Sequence, residues 1–341
     1  MGSVLFLKLG AIFTTIALGF LAGRFPAFRG GEAARILSNA AFYLFAPALL
    51  FRATARIDLA ALPWRALAVF FGPVVLGMVG VYLLQKRALR RASGAQGTAP
   101  EAAAPAVRAI TAAFGNNAQL GIPLAAALFG EAGLQIHLAV VSLHALVLLS
   151  LLTVLVERDL AQAAVQRGEA PASLAGTLAR VVRNTVIHPI VLPVLAGMAW
   201  NLGGLPLPGP LDEVLLMLGT AVVPLCLVAI GLSLGHYGVR GAARVAGQLS
   251  AFKLLVQPAL VLVAGWAVDR GLGGGLLGLP LTVIVLAAAN PTGSNALMFA
   301  QRYRSQEAEA TATIVVSTAA FVLTAPLWLL LLGALGGPLT P

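Results

Sequence analysis

Charge is the scarcest commodity in this sequence: Asp, Glu, Lys and Arg supply 10% of its 341 residues, against about a quarter in a soluble domain. A chain this poor in charge and 59% hydrophobic is not solvated by water, so its surroundings are lipid. Cysteine is almost absent. The single Cys226 excludes an intramolecular disulfide and any Cys-based metal site, and within an apolar run it reads as a small packing residue. Tyr and Trp number four each, too few to stack along a nucleic acid. The net charge of +10 is spread in short segments between apolar runs, a pattern set by membrane orientation rather than by a nucleic-acid partner. Four scattered His without neighbouring carboxylates make no metal site. The sequence has no H-E-x-x-H, no pair of intramembrane aspartates and no phosphate-binding glycine loop, so neither intramembrane hydrolysis nor nucleotide-driven pumping has a motif, and no cofactor is implied.

Hydrophobic runs fill the space left by those absences. Ten are long enough to cross hydrocarbon, roughly 3–23, 33–53, 63–84, 106–128, 134–156, 180–201, 211–235, 243–268, 276–300 and 309–335. The first exceeds a signal-peptide apolar core and reads as a span. With both termini placed outside, sixteen Lys and Arg fall on the inner side. Four (Arg52, Arg56, Arg65 and Arg270) fall on the outer side, and Lys8 and Lys253 fall inside spans. Two inner segments, 85–105 and 157–179, read as linkers, the second dividing ten spans into five and five.

Five is odd, so homologous halves face opposite ways, as in the inverted repeats of secondary transporters. Landmarks recur in order. The second span of each half carries a central proline, Pro47 and Pro224, and the fourth carries an asparagine cluster with Gly and Pro. Those clusters are Gly115-Asn116-Asn117-Ala118-Gln119-Leu120-Gly121-Ile122-Pro123 and Asn290-Pro291-Thr292-Gly293-Ser294-Asn295. Proline removes a backbone donor and clashes with the preceding turn, and glycine permits unusual dihedrals, so both spans are predicted to break. A break in hydrocarbon is tolerated only where it is buried in protein or lines a wet cavity. Facing half-helix N-termini suit an anion. Asn116, Asn117, Gln119, Asn290, Thr292 and Asn295 are then the candidate substrate ligands, with Gly115, Gly121, Pro123, Pro291 and Gly293 shaping the backbone. The competing reading makes the amides interhelical glue.

These two stretches, with Lys253-Leu-Leu-Val-Gln-Pro258, resemble the auxin efflux carrier family, bacterial branch, over essentially the whole chain. Two departures stand out: the second motif has Thr292 where plant members repeat Asn, and no proline directly follows Asn116. The resemblance implies an all-α, ten-helix, five-plus-five inverted repeat of the sodium/proton antiporter kind, with halves 1–156 and 180–341 joined by 157–179. It also implies a scaffold of helices 3–53 and 180–235, a transport domain of helices 63–156 and 243–335, a homodimer in a bacterial inner membrane, and elevator-type carriage of a small organic anion such as malate or malonate. H⁺ or Na⁺ coupling stays open, as do a symporter of a larger amphipathic acid and a membrane receptor using the same site.

Ionisable residues inside the spans are few. Acidic residues fall at span ends or in loops, which argues against cation antiport. Lys253 lies about 12 Å into its span at 1.5 Å per residue. It either snorkels to the surface or faces the site as a counter-charge for the anion. His137 and His144, seven apart, and His188 before Pro189 are either proton sites or hydrogen-bonded packing residues.

Overall fold

The computed structural model describes residues 2–28, 31–56, 63–92, 99–166, 191–236, 242–272, 275–293 and 295–335, with six isolated positions between 176 and 189. The described chain is almost entirely helical: α1 Gly2–Ala22, α2 Glu32–Ala40, α3 Ala46–Ala55, α4 Trp64–Ala92, α5 Ala99–Ala113, α6 Ile122–Gln166, α7 Val191–Leu202, α8 Gly209–His236, α9 Ala243–Ala251, α10 Gln257–Leu272, α11 Leu279–Ala289, α12 Asn295–Arg302 and α13 Glu307–Ala334. Among the described residues, five stretches are long and apolar enough to cross a membrane: Trp64–Leu89, Ile122–Val165, Gly209–Ala229, Ala243–Gly271 and Glu307–Ala334. Shorter apolar helices lie at Tyr43–Ala55, Val191–Leu202 and Leu279–Ala289. Helices suit lipid because every backbone donor and acceptor finds its partner within the segment.

Two of these helices run further than the sequence reading allowed. The segment 85–105 is not a long linker. α4 continues to Ala92 and α5 begins at Ala99, with Pro105 inside it. The residues Lys86–Ala92 are Lys, Arg, Ala and Leu, all good helix formers, so the helix outlasts its apolar stretch. Likewise α6 continues to Gln166, which places Asp159 in a helix rather than in a linker. At 44 residues the apolar part of α6 exceeds what one crossing needs. Gly130, at φ 60 and ψ −156, kinks it into a short half-helix and a long helix, a backbone conformation that favours glycine.

Three π-helical turns punctuate the chain, at Ala41–Phe45, Asn117–Gly121 and Phe252–Val256. Each ends two residues before a proline: Pro47, Pro123 and Pro258. A proline ring clashes with the carbonyl four residues back. The wider turn falls on that carbonyl each time, so the helix passes the proline without stopping.

α1 packs along α8, and α3 packs against α7 and α8. The first of these contacts is backbone-close, since a Cβ on Gly231 would run into Ile16 O and Phe20 N. Asp212 at the start of α8 takes hydrogen bonds from Arg52 Nε (2.8 Å) and an ion pair from Arg56 (2.6 Å). α2 also packs against α8, while α4–α6 and α9–α13 form a second packed group: α4 with α5, α5 with α6, α11 with α4, α6 and α10, and α9 with α13. Its ion pairs join Lys86 of α4 to Asp159 of α6, and Arg108 of α5 to Glu309 of α13 at 2.7 Å.

Candidate functional site

Two helices stop in the middle of this second group and lend each other the hydrogen bonds they lack. After Ala113 the chain leaves α5, and after Ala289 it leaves α11. Gly115 and Thr292 then pair as an antiparallel bridge. Asn116 N donates to Pro291 O (2.7 Å) and Gly293 N donates to Phe114 O (2.9 Å). Broken backbone in an apolar interior costs several kcal/mol per unpaired group, and each break here satisfies the other.

The glycines make this crossing possible by leaving room rather than by adopting rare dihedrals. Gly115, Gly121 and Gly293 are absent from the positive-φ glycines of the described chain. A Cβ on Gly293 would sit 3.1 Å from Gly115 O and 3.3 Å from Asn116 Cα. On Gly115 it would meet Asn117 Nδ2 at 3.0 Å and Lys253 Nζ at 3.4 Å, and on Gly121 it would collide with His137 Nε2 and Asn290 Nδ2. Pro291 contributes its carbonyl to the bridge, and Pro123 follows the π-helical turn that restarts the first helix.

The side chains that the two breaks bring together are buried. Asn290 Nδ2 donates to Asn117 Oδ1 (2.7 Å). His137 Nε2 donates to the Asn117 carbonyl (2.8 Å), which fixes its tautomer, because a carbonyl only accepts. Asn295 opens α12 and is buried, and the Asn116 carbonyl accepts from Leu120 N and Gly121 N. Thr292 is engaged on two sides: its hydroxyl donates to Thr111 O (2.9 Å) and its N–H to Ser317 Oγ (3.1 Å). Both its donors are therefore satisfied inside the protein. His144 lies against the Phe114 ring at 4.4 Å, and its Nε2 has no partner. His137 is thus hydrogen-bonded to the first break, and His144 packs against that break's aromatic ring. The Gln119 side chain, His188 and Ser294 lie outside the described residues.

The ends of both half-helices are capped from a single segment. Lys253 does not snorkel. Its side chain is fully buried, and Nζ donates to Ala288 O (2.5 Å) at the negative end of α11. Gln257, the next turn along, donates from Nε2 to Ala113 O (3.1 Å) at the end of α5. The sequence reading passed over Gln257, Ser317 and Thr111. The available signal was a polar residue four positions after Lys253, and polar residues at 309, 313 and 317 on one face of α13.

The crossing brings the amides of Asn117, Asn290 and Gln257 together with the buried amine of Lys253. Asp159 is the only buried acid among the described residues, and it is paired with Lys86. No group of His, Cys, Asp and Glu able to hold a metal ion occurs among the described residues. Asn117 Nδ2, Asn290 Oδ1 and Gln257 Oε1 have no hydrogen-bond partner, although buried polar groups normally have one. An open amide donor and a buried amine brought together are chemically suited to a small anion.

A stretch of 163 residues, 47% of the chain and 49% of the relative, is 29% identical to a Rhizobium meliloti protein named "Putative malonate transporter". A second stretch of 219 residues, 64% of the chain and 65% of the relative, is 26% identical to an "Uncharacterized transporter" of Methanothermobacter thermautotrophicus. A third, of 162 residues and 48% of either protein, is 26% identical to the Escherichia coli "Uncharacterized transporter YfdV". The chain thus spans under two thirds of the length of each of these relatives. The family described as membrane transport protein matches residues 4–329. The chain belongs to this family, that of the auxin efflux carriers.

Proposed function

We propose that this protein is a secondary or potential-driven carrier of a small carboxylate, with the substrate held where the two broken helices cross. Lys253 carries the reading. An ammonium buried in an apolar interior is costly without an opposite charge, and no acidic side chain among the described residues is paired with it. A carboxylate is the missing partner: it accepts from Lys253 Nζ and from the open Asn117 Nδ2. Asn290 and Asn295 complete the polar wall, while Thr292, its donors already engaged, serves the backbone instead. The name borne by the Rhizobium meliloti relative, a malonate transporter, points to the same chemical class.

The packing also suits an elevator in which ten spans form two inverted five-helix halves. α1–α3, α7 and α8 would form the scaffold and dimer surface, and α4–α6 with α9–α13 the moving body. The ion pairs described above lie within one or the other of these groups, so neither body has to break one of them to move. Residues 157–166, read from sequence as linker, belong to α6 on this view.

The test is Lys253→Met in protein reconstituted into liposomes. Radiolabelled counterflow and charge movement are followed for malonate, malate, succinate and lactate, at two pH values with and without sodium. Saturable transport of one acid by the wild type, lost in a Lys253→Met protein that still melts cooperatively, is the expected outcome. Wild-type rates in Lys253→Met would sink the reading.

A further inference from the structure

The unpaired atoms at the crossing are of two kinds, and a plain carboxylate answers only one. Gln257 is 1% exposed. Its Nε2 donates to Ala113 O at 3.1 Å, so the orientation of the amide is set: turned over, Oε1 would face that carbonyl, acceptor against acceptor. Oε1 therefore points away from Ala113, buried and without a partner. The asparagine pair leaves a similar remainder. One bond joins Asn290 Nδ2 to Asn117 Oδ1, and Asn117 Nδ2 and Asn290 Oδ1 stay open. Turning both amides over exchanges the names and again leaves one donor and one acceptor.

The crossing thus offers Lys253 Nζ and Asn117 Nδ2 as donors, and Gln257 Oε1 and Asn290 Oδ1 as acceptors. A carboxylate has acceptors alone. It would satisfy the first pair and leave two buried carbonyl oxygens bare, and buried acceptors left bare are costly. We infer that the substrate carries a hydroxyl beside its carboxylate, and that Gln257 is the specificity-determining residue that accepts from it. This inference rests on the carrier reading above and narrows its substrate class to hydroxycarboxylates. Lys253 and Gln257 are one turn apart on a single helical segment, so the charge-reading and hydroxyl-reading groups move together as one unit.

Matched acids that differ by one hydroxyl test it. Binding to the full chain in lipid nanodiscs is measured by calorimetry for malate against succinate and for lactate against propionate. The hydroxy acid is expected to bind about tenfold tighter or more in a pair that binds, as sites built around a substrate hydroxyl discriminate strongly against its absence. In Gln257→Met the ratio is expected to fall to about twofold or less. A ratio near one in every pair that binds, or a preference for the plain acid, overturns the inference and leaves the carrier reading standing. If no acid of either pair binds to wild-type protein that melts cooperatively, the carrier reading is what fails. Should Gln257→Met not fold, the wild-type ratios decide alone.

Discussion

Lys86 and Lys253 are both held against apolar helices, and they differ in what stands opposite. Lys86, near the end of α4, has Asp159, the Tyr82 hydroxyl (2.9 Å) and Gln162 (3.2 Å) around it. Lys253 is more deeply buried, yet the partner given to it is a single backbone carbonyl. A buried charge whose partner comes from the same chain holds helices together. One with no side-chain partner among the described residues fits, on the proposed function, a charge brought by the substrate. The same contrast separates Thr292, whose donors are met by Thr111 and Ser317, from Asn117, whose Nδ2 is not met.

The comparison breaks if the two lysines respond alike. Lys253→Met is expected to reduce carboxylate binding by about a hundredfold or more, since a charge-assisted contact is lost in a site of low dielectric. Its melting temperature should stay at or above that of the wild type, because removing an uncompensated buried charge offsets the lost bond to Ala288 O. Asp159→Asn should do the reverse. It leaves the Lys86 ammonium facing a neutral amide and is expected to cost about 1–3 kcal/mol of stability, less than a fully buried pair because Lys86 is partly exposed. Substrate affinity should be unchanged, which calorimetry on the folded fraction would check. Loss of binding in Asp159→Asn without loss of stability would mean that the Lys86 cluster, not the crossing, touches the substrate.

Much of this was legible before any coordinates, for physical reasons. Lipid demands long apolar helices, so spans announce themselves, and Asn, Gly and Pro in mid-span announce a break. The depth of Lys253 was readable too, but whether it reached outward or inward was not, because that depends on α11 arriving beside it. That Thr292 gives both its donors to the protein was not legible, because Thr111 and Ser317 lie 181 and 25 residues away. Gln257 looked like one more polar residue until Ala113 proved to end a half-helix beside it. Residues 85–92, 99–105 and 157–166 are helical despite their charges, because charge marks the end of the hydrocarbon and not the end of a helix. The prolines were visible, but the π-helical turns two residues before them were not sought.

The smallest expected effect separates the glycines of the two breaks. Alanine at 115 asks nothing unusual of the backbone. Its methyl would press on Asn117 Nδ2 at 3.0 Å and Lys253 Nζ at 3.4 Å, both the free ends of side chains that can yield by a few tenths of an ångström. Gly115→Ala is therefore expected to melt within about 2 °C of the wild type while its carboxylate affinity falls about three- to tenfold, because the donors facing the substrate are displaced. Alanine at 293 would press instead on Gly115 O and Asn116 Cα, which are backbone held by the bridge between the breaks and cannot yield. Gly293→Ala should accordingly lose stability first. If Gly115→Ala destabilises the protein and leaves affinity untouched, Asn117 and Lys253 are packing groups, and the distinction between charges awaiting a partner and charges already paired does not identify the site.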